Sequence, residues 1–179
     1  MNTLSLEQAT PSDPLIRAAG GFAILSGIIS AFGVAFLIAM FILFATPLKE
    51  LGLTFGLLND ICIGIQYLLT IPIVAALHRI LLPYNPMWIR IATVVGIASI
   101  LAVIALQLAL IFKVLTFEQQ WLWITLAMIV GVGAWLVITG LVARSTGRLP
   151  NSVVMSAVAV PYVGYPIWAF WLGRRLLGW

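Results

Sequence analysis

GGFAILSGIISAFGVAFLIAMFILFA, residues 20–45, decides the fold class. The stretch contains no charged residue from end to end. A helix needs roughly 20 mostly apolar residues to cross a hydrocarbon core of about 30 Å, and this one has them to spare. It is also too long for the 7–15-residue apolar core of a signal peptide. Glu7 and Asp13 precede it with no early basic run. The first span is therefore expected to remain in the mature protein as an anchor.

Four further apolar runs follow, over 61–82, 88–112, 121–143 and 153–172. Each must be helical, because an isolated strand in lipid leaves its backbone groups unsatisfied. The pattern predicts an all-α polytopic transmembrane helix bundle of about five spanning helices. A polar segment, 1–19, precedes a single transmembrane unit, 20–179. Helix-start signals support the division. Asp13-Pro14 and Asn85-Pro86 each place a capping side chain before a proline at the first helical position. Thr116 and Gln119 have the spacing of a capping box. A first helix beginning at Pro14 and ending near Ala45 would be about 48 Å long, so its first turns should lie in the interface or in water. Pro161, Gly164 and Pro166 interrupt the last run, which predicts a kinked span rather than a re-entrant hairpin.

Composition agrees. Apolar residues make up 63% of the 179 and charged residues 8%. A soluble domain averages about 25% charged residues, so this chain cannot cover a water-facing surface and its expected partner is membrane lipid. The net charge of +4 does not indicate nucleic-acid binding, since no basic cluster exceeds Arg174-Arg175. The single cysteine, Cys62, excludes an intramolecular disulfide and sits in an apolar run as a small hydrophobe. One histidine and no paired cysteines leave no recognisable zinc, haem or copper motif, and no phosphate-binding or dinucleotide-binding glycine motif is present. No cofactor and no metal are expected.

The loops set an expected orientation. With five spans, Arg17, Arg79, Arg90, Arg144 and Arg148 share one side, and Lys49, Lys113, Arg174 and Arg175 the other. The positive-inside rule then favours a multi-pass cell-membrane protein with a cytoplasmic N-terminus and an external C-terminus.

Candidate binding residues are those that are polar or large within the spans: Asp60, Gln66, Tyr67, His78, Gln107, Trp135, Tyr162 and Tyr165. Asp60 either caps a helix beginning at Ile61 or is a carboxylate set into the membrane, where such groups are costly and by default functional. His78 ends the same run. The two lie in line on one face but about 27 Å apart, so they cannot form an acid–base pair within one straight helix. Gln107 lies deep in its span and is expected to bond across helices or to orient a ligand. Tyr67, Gln107, Trp135, Tyr162 and Tyr165 together would suit a mostly apolar pocket with a few polar groups. In the first span Ala23, Gly27, Ala31, Ala35 and Ala39 recur every four residues, a small-residue stripe that permits close helix packing. Gly27, Ala31 and Ala35 are expected to pack within the chain, or alternatively to form a homo-oligomer face.

Two stretches resemble a known type. Residues 56–79, with Asn59-Asp60 and the later Leu77-His78-Arg79, and LVARSTGRLPNSVV at 141–154, resemble small multi-pass bacterial membrane proteins with a domain of uncharacterised function. Those proteins usually carry six or seven spans against the five expected here. The resemblance implies a membrane bundle and no particular activity.

The function read from these residues is a non-catalytic bundle that binds an apolar small molecule, a lipid or another membrane protein. One alternative is a transporter-like protein with a midplane site framed by the proline-bearing second and fifth spans. The other is an intramembrane enzyme using Asp60 or His78.

Overall fold

The computed structural model describes residues 13–146 and 164–178. Five helices account for nearly all of them: α1 (Pro14–Phe44), α2 (Lys49–Leu81), α3 (Pro86–Ile111), α4 (Phe117–Ser145) and α5 (Gly164–Leu177). No strand occurs among the described residues. The first four helices are long and apolar enough to cross a membrane. The described part of α5 has 14 residues, about 21 Å, which is short of a crossing. The remainder of its expected range, from 153 to 163, lies outside the described residues, as does most of the 1–19 segment.

Local chemistry sets the helix ends. The Asp13 carboxylate accepts from the Leu15 backbone N–H at 2.9 Å, with Pro14 behind it. The Asn85 side-chain oxygen accepts from Trp88 N–H at 3.3 Å. Thr116 and Gln119 form the reciprocal capping box, each side chain accepting from the other's backbone N–H. α4 is not uniform: Leu126–Val132 winds as a π-helical segment between two α-helical stretches. Its Gly131 lies so close to Ser99 on α3 that a side chain there would collide with it.

The second helix departs from the sequence reading. It begins at Lys49, well before Ile61, because the apolar residues 53–58 continue the helix instead of forming a loop. Asp60 is therefore not a helix cap. It sits a third of the way along a 33-residue helix, half-buried, next to the buried Asn59, whose amide bonds to it. Pro72 lies inside α2 without ending it.

Consecutive helices run antiparallel. Asp13 at the start of α1 pairs with Arg79 near the end of α2, and Gly56 packs on Met40 near the other end of α1. His78 of α2 meets Thr93 of α3, and Gln107 of α3 meets Gln120 of α4. One end of the bundle thus carries Arg17, Arg79, Arg90 and Arg144, and the other carries Lys49 and Lys113.

α5 packs antiparallel to α1, and its direction corrects the expected topology. Gly27 faces the Pro166 carbonyl, while Gly20 faces Gly173, Leu176 and Leu177. As α5 proceeds it therefore climbs toward the start of α1, and Arg174 and Arg175 emerge at the arginine end. They do not join Lys49 and Lys113. Thr146 and Gly178, which follow α4 and α5, lie at the same end, and so does Asp13. Five full spans would instead have put Asp13 and Gly178 at opposite ends. Sequence hydropathy could not show this, because it carries no information on which helix the last one packs against.

The outward surface is apolar along the bundle. Phe32, Phe41, Ile42, Leu53, Leu68, Val94, Leu101, Ile129 and Val130 are all exposed. The interior, by contrast, holds Ser26, Ser30, Asn59, Gln66, Thr70, Gln107, Gln120 and Thr139. Polar residues inside and apolar residues outside is the arrangement compatible with lipid as solvent, where helices gain little from burying more hydrocarbon and associate through close packing and hydrogen bonds.

Candidate functional site

The densest polar and aromatic cluster lies midway along the bundle, where α1, α2, α4 and α5 meet. Tyr165 of α5 is buried there, its hydroxyl 2.6 Å from the Ser26 hydroxyl of α1 and 2.5 Å from the Thr70 hydroxyl of α2. The Thr70 hydroxyl donates to the Gln66 carbonyl oxygen at 2.8 Å. Each hydroxyl has one proton, which orders the chain: Ser26 donates to Tyr165, Tyr165 to Thr70, and Thr70 to the backbone. Every proton in that chain is used, so it ties three helices together and offers none to a reaction.

Aromatic rings extend the cluster. Trp168, one turn along α5 from Tyr165, stacks at a tilt on it with ring centroids 5.4 Å apart. On its other side it meets Trp135 of α4 edge to face, centroids 6.0 Å apart and planes at 89°. Trp135 is fully buried against Gly96 of α3, where an added Cβ would come within 2.7 Å of the indole. Its Nε1 is the one buried side-chain nitrogen or oxygen among the described residues without a hydrogen-bond partner. Tyr67 is buried in the same core, with Ile63, Val132 and Ala169.

The remaining candidates are placed elsewhere. Gln66 is buried on α2, one turn before Thr70, and its backbone carbonyl takes the Thr70 hydroxyl proton. Gln107 lies toward the lysine end, almost fully buried, and its carbonyl accepts from Gln120 Nε2 at 3.3 Å. Asp60 also lies on the lysine side of the cluster. His78 lies on the arginine side, half-buried, with Nδ1 2.7 Å from the Thr93 hydroxyl. That hydroxyl gives its proton to the Ile89 carbonyl at 2.7 Å, so the His78 nitrogen facing it must be the donor and Nδ1 carries the proton. Tyr162 falls outside the described residues. The structure thus gathers Tyr67, Trp135 and Tyr165 and separates Asp60 from His78.

The small-residue stripe divides. Gly27 packs against Pro166 and Ala169 of α5, whereas Ala31 and Ala35 are exposed. α1 curves its buried face through Ala19, Gly20, Ala23, Ser26, Gly27, Ser30 and Gly33 instead. Trp168, close to the end of the 153–172 run, was not among the sequence candidates. It reads as an interfacial indole near a span end, but it is core, and the signal is its spacing of three and four residues from Tyr165 and Leu172, which share its buried face. Among the described residues no three His, Cys, Asp or Glu side chains gather as metal ligands would.

No family model, curated protein or solved structure matches the chain. The likeness of residues 56–79 and 141–154 to bacterial multi-pass proteins rests on those residues alone. The cluster comprises a closed hydroxyl chain, an aromatic wall and one N–H without a partner.

Proposed function

We propose that the protein is a non-catalytic integral membrane bundle that binds an apolar molecule, such as a lipid or quinone-like compound, through a carbonyl or ether oxygen at Trp135. The observation that supports this reading is the Trp135 Nε1–H, buried at mid-bundle without a partner. Leaving a buried donor unsatisfied costs about 1–3 kcal/mol, and native proteins rarely do so without a reason. No hydroxyl of the neighbouring chain makes a hydrogen bond to it. The intramembrane-enzyme alternative draws no support from the geometry, since Asp60 and His78 sit on opposite sides of the cluster.

The bundle is proposed to sit with its arginine end in the cytoplasm. Six of the eight described Lys and Arg residues lie at that end, and the positive-inside rule puts such an end in the cytoplasm. Cysteines placed at Asp13 and Gly178 should both resist an impermeant thiol reagent in intact cells and both react after permeabilisation.

Binding is tested by purifying the full chain in a mild detergent and extracting it for mass spectrometry. An apolar compound should co-purify in stoichiometric amount and fall several-fold in Trp135→Phe. A wild-type preparation free of any such compound, or an unchanged amount in the variant, would sink the reading. Orientation is judged separately by the labelling result.

A further inference from the structure

The contact between α1 and α5 has a consequence at the arginine end. Gly20 and Gly173 approach so closely that a Cβ on Gly20 would lie 3.1 Å from the Gly173 carbonyl oxygen, and one on Gly173 would lie 2.7 Å from the Gly20 carbonyl oxygen. Arg17 precedes Gly20 by one turn, and Arg174 and Arg175 follow Gly173 directly. Ile16 and Leu176, their neighbours in sequence, are buried in the core, while all three arginines are exposed. The ends of α1 and α5 therefore bring three exposed arginines to one end of the bundle, at the rim of the apolar surface. Just inward of them lie exposed Phe22 and Leu25 on α1 and exposed Phe170 and Trp171 on α5.

Among the described residues nothing acidic pairs with them. The one ion pair among the described residues joins Asp13 to Arg79. Asp13 is also the one described acid at this end, against six arginines. At the other end Lys49 and Lys113 are balanced by Glu50 and Glu118. The residue type differs as well as the count. Arginine presents a planar fork that matches a phosphate in two parallel hydrogen bonds, whereas lysine is a compact point charge.

We propose that Arg17, Arg174 and Arg175 form a binding site for the phosphate of an anionic phospholipid at the seam of α1 and α5. The acyl chains would lie along the exposed apolar residues below the seam. This rests on the reading of the chain as a membrane protein with its arginine end in the headgroup region. The anion is a lipid headgroup and not a free phosphate, because the charged groups sit at the edge of an apolar face instead of in a polar recess.

The experiment uses the full chain in a zwitterionic detergent and measures its melting temperature against added phosphatidylglycerol, phosphatidylcholine or inorganic phosphate. Phosphatidylglycerol should raise it by roughly 3 °C, the scale of ligand stabilisation in a chain of this size. Phosphatidylcholine and inorganic phosphate should not. The variant R17Q/R174Q/R175Q should fold, since all three side chains are exposed, and should lose the shift. R90Q/R144Q, which removes two arginines from the same end one helix pair away, should keep most of it. Equal shifts from both lipids, the same shift from phosphate alone, or equal losses in the two variants would overturn the site. Resistance to alkaline carbonate extraction from membranes reports the membrane reading by itself, so a failure of that reading is told apart from a failure of the site.

Discussion

The two ends of this bundle are built differently. Toward the arginine end α5 is wedged beside α1, Gly20 and Gly173 bring backbones into contact, and the Ser26–Tyr165–Thr70 chain joins three helices. Toward the lysine end the described contacts are looser. Phe36 and Phe55 meet at a tilt 5.8 Å apart, Phe44 covers Gly52, and Gln107 takes one long hydrogen bond from Gln120. Much of the first half of α4 is exposed. The difference teaches where lipid-soluble helices find their specificity. Apolar area is available everywhere and discriminates nothing, so the tight end is the one where glycine meets the backbone of another helix and buried hydroxyls bond between helices.

The largest expected effect comes from removing the tight end's closest approach. Gly173→Val would force a branched side chain into the space held by Ile24 and the Gly20 carbonyl, 2.6 and 2.7 Å from its Cβ. Overpacking of this kind typically costs about 1–3 kcal/mol, and here the obstruction is backbone, which cannot turn aside. The variant should melt several degrees lower in detergent or fail to accumulate. Gly21→Val is the control, since nothing lies within 4 Å of its Cβ. Equal losses in both would mean that glycine matters here for reasons other than space.

The divided stripe gives the next test. Gly27→Ile meets the Pro166 carbonyl 3.0 Å from its Cβ and should destabilise clearly. Ala31→Ile points outward and should leave the melting temperature of a monomer within about 0.5 kcal/mol of wild type. Cross-linking of the Ala31 variant in membranes adds the sharper reading. If wild type cross-links as a dimer and Ala31→Ile does not, the lower half of the stripe is an oligomer face.

These contrasts mark what could and could not be read from the residues. The four long helices were legible because lipid leaves one solution for a long apolar run, and Pro14, Pro86 and Thr116 announce their starts. The start of α2 was misjudged because Asp60 resembles a cap, although Leu53–Leu58 already continued the helix. The direction of α5 was not legible at all. It depends on Gly20 meeting Gly173, a pairing between residues far apart in the chain, which no local pattern encodes. The core position of Trp168 was hidden for the same reason: an indole near a run's end reads as interfacial until the helix it faces is known. Tyr165 and Trp135 were recognisable as candidates by type, but the closure of the hydroxyl chain through Ser26 and Thr70 required three helices to be placed.

Deleting one hydrogen-bonding group from each end compares their polar networks. Tyr165→Phe removes two bonds and leaves the Ser26 proton without its acceptor, for an expected loss of about 1–3 kcal/mol. Gln107→Leu removes one bond of 3.3 Å, and interhelical bonds in membranes average nearer 0.6 kcal/mol. The melting temperature of Tyr165→Phe should therefore fall further. The reverse order would place the stabilising polar contact at the lysine end and break the comparison.

The smallest expected effect lies at the very tip of the tight end. Asp13 does two things: one carboxylate oxygen caps α1 through Leu15 N–H at 2.9 Å, and the other lies 3.2 Å from the Arg79 guanidinium. The two roles separate by substitution. Asn caps a helix about as well as Asp but carries no charge, whereas Ala does neither. The Arg79 side chain is 63% exposed, and ion pairs in water of that kind contribute about 0–1 kcal/mol. Loss of a capping side chain costs roughly 0.5–2 kcal/mol. Asp13→Asn should therefore be close to neutral and Asp13→Ala about 1 kcal/mol less stable, with the difference insensitive to salt. If Asp13→Asn falls as far as Asp13→Ala, and added salt erases the gap from wild type, then the bond to Arg79 joins α1 to α2 more firmly than its exposure implies. The arginine end would then owe part of its stability to charge and not only to close packing.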